Sequence, residues 1–177
     1  MPLLVVLLGI ALAGCGAQPA RPATPLIAPF ELQVKFANVD TNMQVVTAVA
    51  TLSPGDATHI TLDFWDAQLE PEEAYRAVGH LSRAELENLG IAIELYGQAA
   101  LRPGSYFFGS EYPDCCVPSI TSGGVEYQLL PNPQQLGQIQ LESVDLSEGG
   151  QVRGSIDLEC YYGEIIRGPF TAIVHLR

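Results

Sequence analysis

The chain has 177 residues, with 8 Lys and Arg against 20 Asp and Glu, a formal net charge of −12. That acidic balance disfavours nucleic acid and anionic lipid headgroups as partners, and its plainest effect is to keep the protein soluble. No cofactor-binding pattern and no metal-ligand spacing appears in the chain.

Residues 1–14, MPLLVVLLGIALAG, hold eleven apolar residues and no charged side chain. The run falls short of the roughly 20 apolar residues that span a hydrocarbon core, and fits the apolar part of a secretory signal. It ends Leu12-Ala13-Gly14-Cys15, which resembles the bacterial lipobox. The resemblance implies cleavage between Gly14 and Cys15, after a diacylglyceryl group has been attached to the Cys15 sulfur, and then further acylation of the new amino terminus. Two or three acyl chains hold a protein stably on a membrane, where one holds it only reversibly. Gly16 rather than Asp follows the cysteine, which points to the outer rather than the inner membrane of the envelope.

Residues 16–29, GAQPARPATPLIAP, contain four Pro and four Ala. Such a segment favours extended polyproline II at about 3.1 Å per residue and predicts a semi-rigid tether of about 40 Å. The domain is therefore expected over residues 30–177.

From Phe30 the pattern is that of strands. Phe30, Leu32, Val34 and Phe36 alternate with Glu31, Gln33 and Lys35, the period of a strand with one buried face. Asn38 to Asn42 reads as a polar turn, and Met43 to Leu52 as a Val- and Thr-rich strand. Ser53-Pro54-Gly55-Asp56 predicts a type II turn, and Ile60, Leu62 and Phe64 the next strand. Residues 68–90 break the rhythm: Pro71-Glu72-Glu73 has a helix-start composition, and Ser82 to Glu85 fits a capping box with Gly90 as the residue after the helix. Strand pattern resumes at Ile91, Ile93 and Leu95, followed by a turn at Arg102-Pro103-Gly104-Ser105. The final third predicts strands at Val125–Leu129, at Ile139–Leu146 with a one-residue phase slip indicating a bulge, at Val152–Cys160, and at Phe170–Leu176. About eight short strands with regular turns predict a mostly β chain: a single antiparallel β-sandwich, immunoglobulin-like or barrel-like, with one or two short helices.

Gly137 to Leu146 followed by Gly149 to Asp157 resembles the C-terminal hairpin of secreted bacterial β-sandwich lipoproteins of uncharacterised function. That resemblance implies a fold and carries no catalytic content.

Among residues that could carry chemistry, Cys115, Cys116 and Cys160 remain after Cys15. In an oxidising compartment thiols pair, and Cys160 joined to Cys115 or Cys116, in the segment Glu111 to Pro118, would close a loop of about 45 residues, worth on the order of 4 kcal/mol. The alternatives are a vicinal Cys115–Cys116 disulfide or a thiol site for redox or metal. His59, His80 and His175 are scattered, with no Gly-x-Ser-x-Gly and no His-Glu-x-x-His. Asn38 to Asn42 imitates the start of an EF-hand loop but fails at positions six and twelve, and the acids Asp63, Asp66, Glu70, Glu72 and Glu73 span a strand end, a loop and a helix start. Trp65 is out of phase with Ile60, Leu62 and Phe64. With Tyr106, Phe107, Phe108 and Tyr112 it forms a candidate set of recognition aromatics, or else a second packing face.

The sequence thus predicts an envelope lipoprotein acting as a non-enzymatic binding or assembly module. Its expected partners are the membrane through the lipid, and another envelope protein or a glycan. Two rivals are a hydrolase whose site assembles only in three dimensions around His59 or His175 and a carboxylate, and a thiol-based redox or metal carrier.

Overall fold

The computed structural model describes residues 27–74, 88–109 and 111–177. The signal segment, Leu12 to Cys15, most of the tether, His80 and the capping box at Ser82 lie outside the described residues. Among the described residues the chain forms eleven strands: β1 (Phe30–Phe36), β2 (Val39–Val45), β3 (Thr47–Leu52), β4 (His59–Trp65), β5 (Gly90–Tyr96), β6 (Gly104–Phe108), β7 (Cys115–Ser122), β8 (Val125–Gln128), β9 (Gln138–Val144), β10 (Gln151–Glu159) and β11 (Ile165–Leu176). One helical turn occupies residues 71–74.

The chain is mostly β, as expected, but the sheet closes on itself. Its order is β10-β9-β6-β7-β5-β4-β3-β11, and β11 pairs back onto β10. Eight strands therefore form a ring, so of the two forms expected the barrel-like one is present and an immunoglobulin-like sandwich is not. Two ring pairs, β3 with β11 and β6 with β7, are parallel. The ring closes because β11 is twelve residues long. Its first half takes β1 on one edge and its last residues take β3 on that same edge, while β10 runs along the other. The β1–β2 hairpin and β8 are additions outside the ring.

The inward alternation read from the sequence is the core. Leu32, Val34, Ile60, Leu62, Phe64, Ile91, Ile93, Leu95, Ile139, Leu141, Val152, Ile156, Leu158, Phe170 and Val174 are all buried in one apolar cluster. The Ser53–Asp56 turn forms as predicted, with the Asp56 N–H donating to the Ser53 carbonyl at 3.0 Å and Gly55 at φ +84°. The phase slip is a bulge: Arg153 faces Ser143 and Gly154 faces Leu141, leaving Glu142 unopposed.

Three local expectations are corrected. Residues 39–42 belong to strand β2, and the turn is only Ala37-Asn38, because an edge strand tolerates polar residues on its open face. Cys115 and Cys116 lie in β7 and not in a loop. The final strand begins five residues before Phe170, at Ile165. Gly90 is the first residue of β5.

Candidate functional site

Two regions carry unusual chemistry. The first is the outer face of β3, β4, β5 and β7. Cross-strand partners share a face, so the register places Val49, Asp63, Ala92 and Ser119 in one row. Thr47, Trp65, Gly90 and Thr121 form a second row, and Thr51, Thr61 and Glu94 a third. Six polar side chains are buried among the described residues, Thr47, Thr51, Thr61, Asp63, Ser119 and Thr121, and all six stand on this face. Part of the cover is visible: residues 66–74 fold back so that Leu69 and Ala74 pack on Val49 and Trp65. Thr47 fixes that segment by donating to the Ala67 carbonyl at 2.7 Å and accepting from the Leu69 N–H at 2.9 Å.

Asp63 stands in the middle, 1% exposed, and neither carboxyl oxygen has a hydrogen-bond partner. Burial pushes its pKa up to about 8; Arg177 opposes that shift, and Glu94 and Glu126 add to it. The group is consequently a neutral acid at neutral pH, able to donate one hydrogen bond as well as accept. Thr51 Oγ1, Trp65 Nε1 and His59 Nε2 are also buried without partners, and all belong to the same outward positions of β3 and β4.

The second region is an exposed rim. Tyr161 and Tyr162, 57% and 76% exposed, occupy the β10–β11 turn with their rings perpendicular at 5.0 Å. The Tyr161 N–H donates to the Leu130 carbonyl at 2.9 Å, and Pro131 bridges Cys160, which fastens the 129–137 segment to this turn. Leu130 and Leu136 are exposed there. Ile165 pairs with Lys35, bringing the end of β1 alongside, and Phe36 meets Tyr127 of β8 with ring centroids 4.9 Å apart.

The recognition aromatics expected from sequence are elsewhere. Trp65, Tyr106 and Phe108 are buried, while Phe107 and Tyr112 are half-buried against each other, rings 5.2 Å apart. Tyr106 and Phe108 point inward because residues 104–108 are a ring strand. Trp65 does face away from the main core, but residues 66–74 cover it. Sequence reading overlooked Tyr161 and Tyr162, although two consecutive tyrosines before Gly163 in a tight turn could have been read as unburiable.

Cys115, Cys116 and Cys160 are free and buried, so the expected disulfide is not formed. Burial raises all three thiols, Cys160 to about 12, the opposite of what a reactive or metal-binding thiol needs. No metal-binding group of His, Cys, Asp and Glu occurs among the described residues.

The histidines separate. His59 stacks flat on Tyr96 at 4.4 Å, and the Tyr96 hydroxyl donates to Glu94. His175 does meet a carboxylate, with Nδ1 at 3.2 Å from Glu148, but the same carboxylate accepts the Leu176 N–H at 2.6 Å. The shallow depression beside it, lined by Ser143, Asp145, Gly149 and Arg153, includes neither residue of that pair. Glu148 thus serves as a clamp on the last strand.

No protein-family model, no curated protein and no solved structure matches this chain.

Proposed function

We propose that this chain is a lipid-anchored binding module of a bacterial envelope, held at Cys15 and engaging an envelope protein or a glycan through the tyrosine–leucine rim. The observation that carries the reading is the placement of Tyr161, Tyr162, Leu130 and Leu136 together and exposed at one end of the barrel. Large side chains that fold into the open at one place mark contact surfaces, and tyrosine supplies much contact area at small entropic cost. The tether direction agrees. β1 enters at Phe30 and runs toward the rim, ending beside Ile165. Seven strand residues span about 20 Å, so a tether preceding Phe30 would attach at the far end of β1 and leave the rim facing away from the membrane.

The test expresses the full chain in a bacterial host. Mass analysis of the mature amino terminus should find a lipidated Cys15, and Cys15→Ala should move the protein out of the membrane fraction. Photo-crosslinking from position 162 should capture an envelope component, and Tyr161→Ser should reduce that capture at least tenfold. An unmodified mature terminus beginning elsewhere would end the anchoring part of the proposal. Capture indifferent to Tyr161 would end the recognition part.

A further inference from the structure

β2 lies at the end of the strand order, with β1 on one edge and, among the described residues, no strand on the other. The turn joining the two strands has two residues, Ala37 and Asn38, and is closed by the pair Phe36–Val39, with Ala37 at φ +50° as such turns require. A two-residue hairpin is closed by a pair that exchanges both backbone hydrogen bonds, and bonded and non-bonded pairs then alternate. Val39, Thr41, Met43 and Val45 therefore bond to β1. Asp40, Asn42 and Gln44 turn their N–H and C=O groups to the open side, and the same three residues are solvent-exposed.

Most of the usual protections of an open edge are missing. Edges are blunted by charged side chains, lysine above all, and by proline, bulges or shortness, and of these β2 has a single acid, Asp40. β2 has seven residues, VDTNMQV, neither proline nor lysine, and seven consecutive pairs with β1 in unbroken register.

We infer that the open edge of β2 pairs with β2 of a second copy of this chain, antiparallel about a two-fold axis at Asn42. Charge selects that register. It sets Asn42 opposite Asn42 of the other copy and each Asp40 opposite a Gln44, using all three open residues on each side. A slip that centres on Asp40 would set two carboxylates directly against each other and forfeit pairs. The contact is a strand edge, smaller than a standard stable interface, so it acts as a weak association that confinement on a membrane would strengthen. The pairing stands without the anchor proposed above.

Thiol crosslinking tests it in the full chain, because Cys115, Cys116 and Cys160 are buried and the parent chain, run in parallel, reports any reaction at Cys15. Asn42→Cys treated with a short bis-maleimide should give a band at twice the chain mass, read in whichever cell fraction holds the protein. Lys35→Cys on the neighbouring strand should give at least tenfold less. Adding Gln44→Glu, which sets a carboxylate opposite Asp40, should cut the Asn42→Cys yield at least fivefold with an unchanged circular dichroism spectrum. Equal crosslinking from positions 35 and 42, a product joined to a different protein, or a yield unaffected by Gln44→Glu would each overturn the proposal.

Discussion

The indole of Trp65 lies directly over Gly90, its cross-strand partner, in the space that a side chain at position 90 would need. A β-carbon there would collide with Cζ3, Cη2 and Cε3 of the ring, so glycine is required for its missing side chain and not for an unusual backbone angle. The ring is in turn covered by Leu69 and Ala74 and cannot swing outward. Gly90→Ala should destabilise by about 1–3 kcal/mol, the cost of overpacking a filled site. Trp65→Ala should cost more on its own, about 3–5 kcal/mol, but the double variant should lose less than the sum, because the smaller residue makes room for the new methyl. Urea midpoints of the four proteins measure the coupling, and strict additivity would argue that the two residues do not touch.

Asp63 makes stability depend on pH in an unusual direction. An unfolded aspartate ionises near pH 3.9, whereas burial holds the folded one protonated to about 8. Between those values the folded state keeps a proton that the unfolded state has released, so stability from this group is fully present below about pH 4 and is lost as pH rises through about 8. The slope is up to about 1.4 kcal/mol per pH unit. Urea unfolding of the protein should show stability falling from pH 5 to pH 8. Asp63→Asn, which keeps the shape and cannot ionise, should flatten that dependence and raise stability at pH 8. An equal slope in both proteins would show that another group is responsible.

These two residues also show what sequence could and could not disclose. The inward alternation from Ile60 to Phe64, and the opposite facing of Trp65, were legible because strand period depends only on neighbouring residues. That both faces of β4 are buried was legible only as the alternative of a second packing face, because the outer cover arrives from residues 66–74 and from pairings between strands far apart in the chain. For the same reason Asp63 reads locally as an ordinary outward acid. A barrel-like form was among the expectations, but what decides for closure was hidden: it depends on β11 accepting β1 and β3 along one edge and β10 along the other, a non-local outcome that no local window encodes. The Glu142 bulge and the Gly55 turn, by contrast, are written in adjacent residues and were read correctly.

The three core cysteines should behave as small apolar residues. Cys116 and Cys160 are fully buried and Cys115 nearly so, and all three thiols are raised by burial first; the like charges of Cys115 and Cys160 add for Cys116, and Glu164 and Glu159 for Cys160. Thiolate is the reacting form, so a disulfide reagent at pH 8 should leave the native domain nearly untouched. It should titrate three thiols once urea unfolds the chain, measured in the Cys15→Ala background. Rapid reaction of any one in the native state would contradict the burial. Cys116→Ala should cost about 1–2 kcal/mol in proportion to the volume removed, with no loss of reduction-sensitive stability, since no disulfide exists to be reduced.

Glu148 ties the β9–β10 turn to the end of the chain. One carboxylate oxygen accepts the Leu176 N–H and the other faces His175, while Gly149 and Gly150 exchange backbone hydrogen bonds with Val174 at 2.9 Å. Because β11 pairs with β3 only through Ile173–Leu176, this clamp holds the seam at which the ring closes. Glu148 is more than half exposed, so solvent screening reduces what its charge contributes, and Glu148→Ala should cost only about 1 kcal/mol overall. The loss should be local. Amide exchange at Leu176 and along Val49–Leu52 should quicken well before that of β6 or β9, since terminal segments open by themselves when their ties are cut. Glu148→Gln retains an acceptor for Leu176 and should preserve most of the protection. If both variants exchanged alike, the carboxylate charge would be holding the seam, and the hydrogen bond to Leu176 would be incidental.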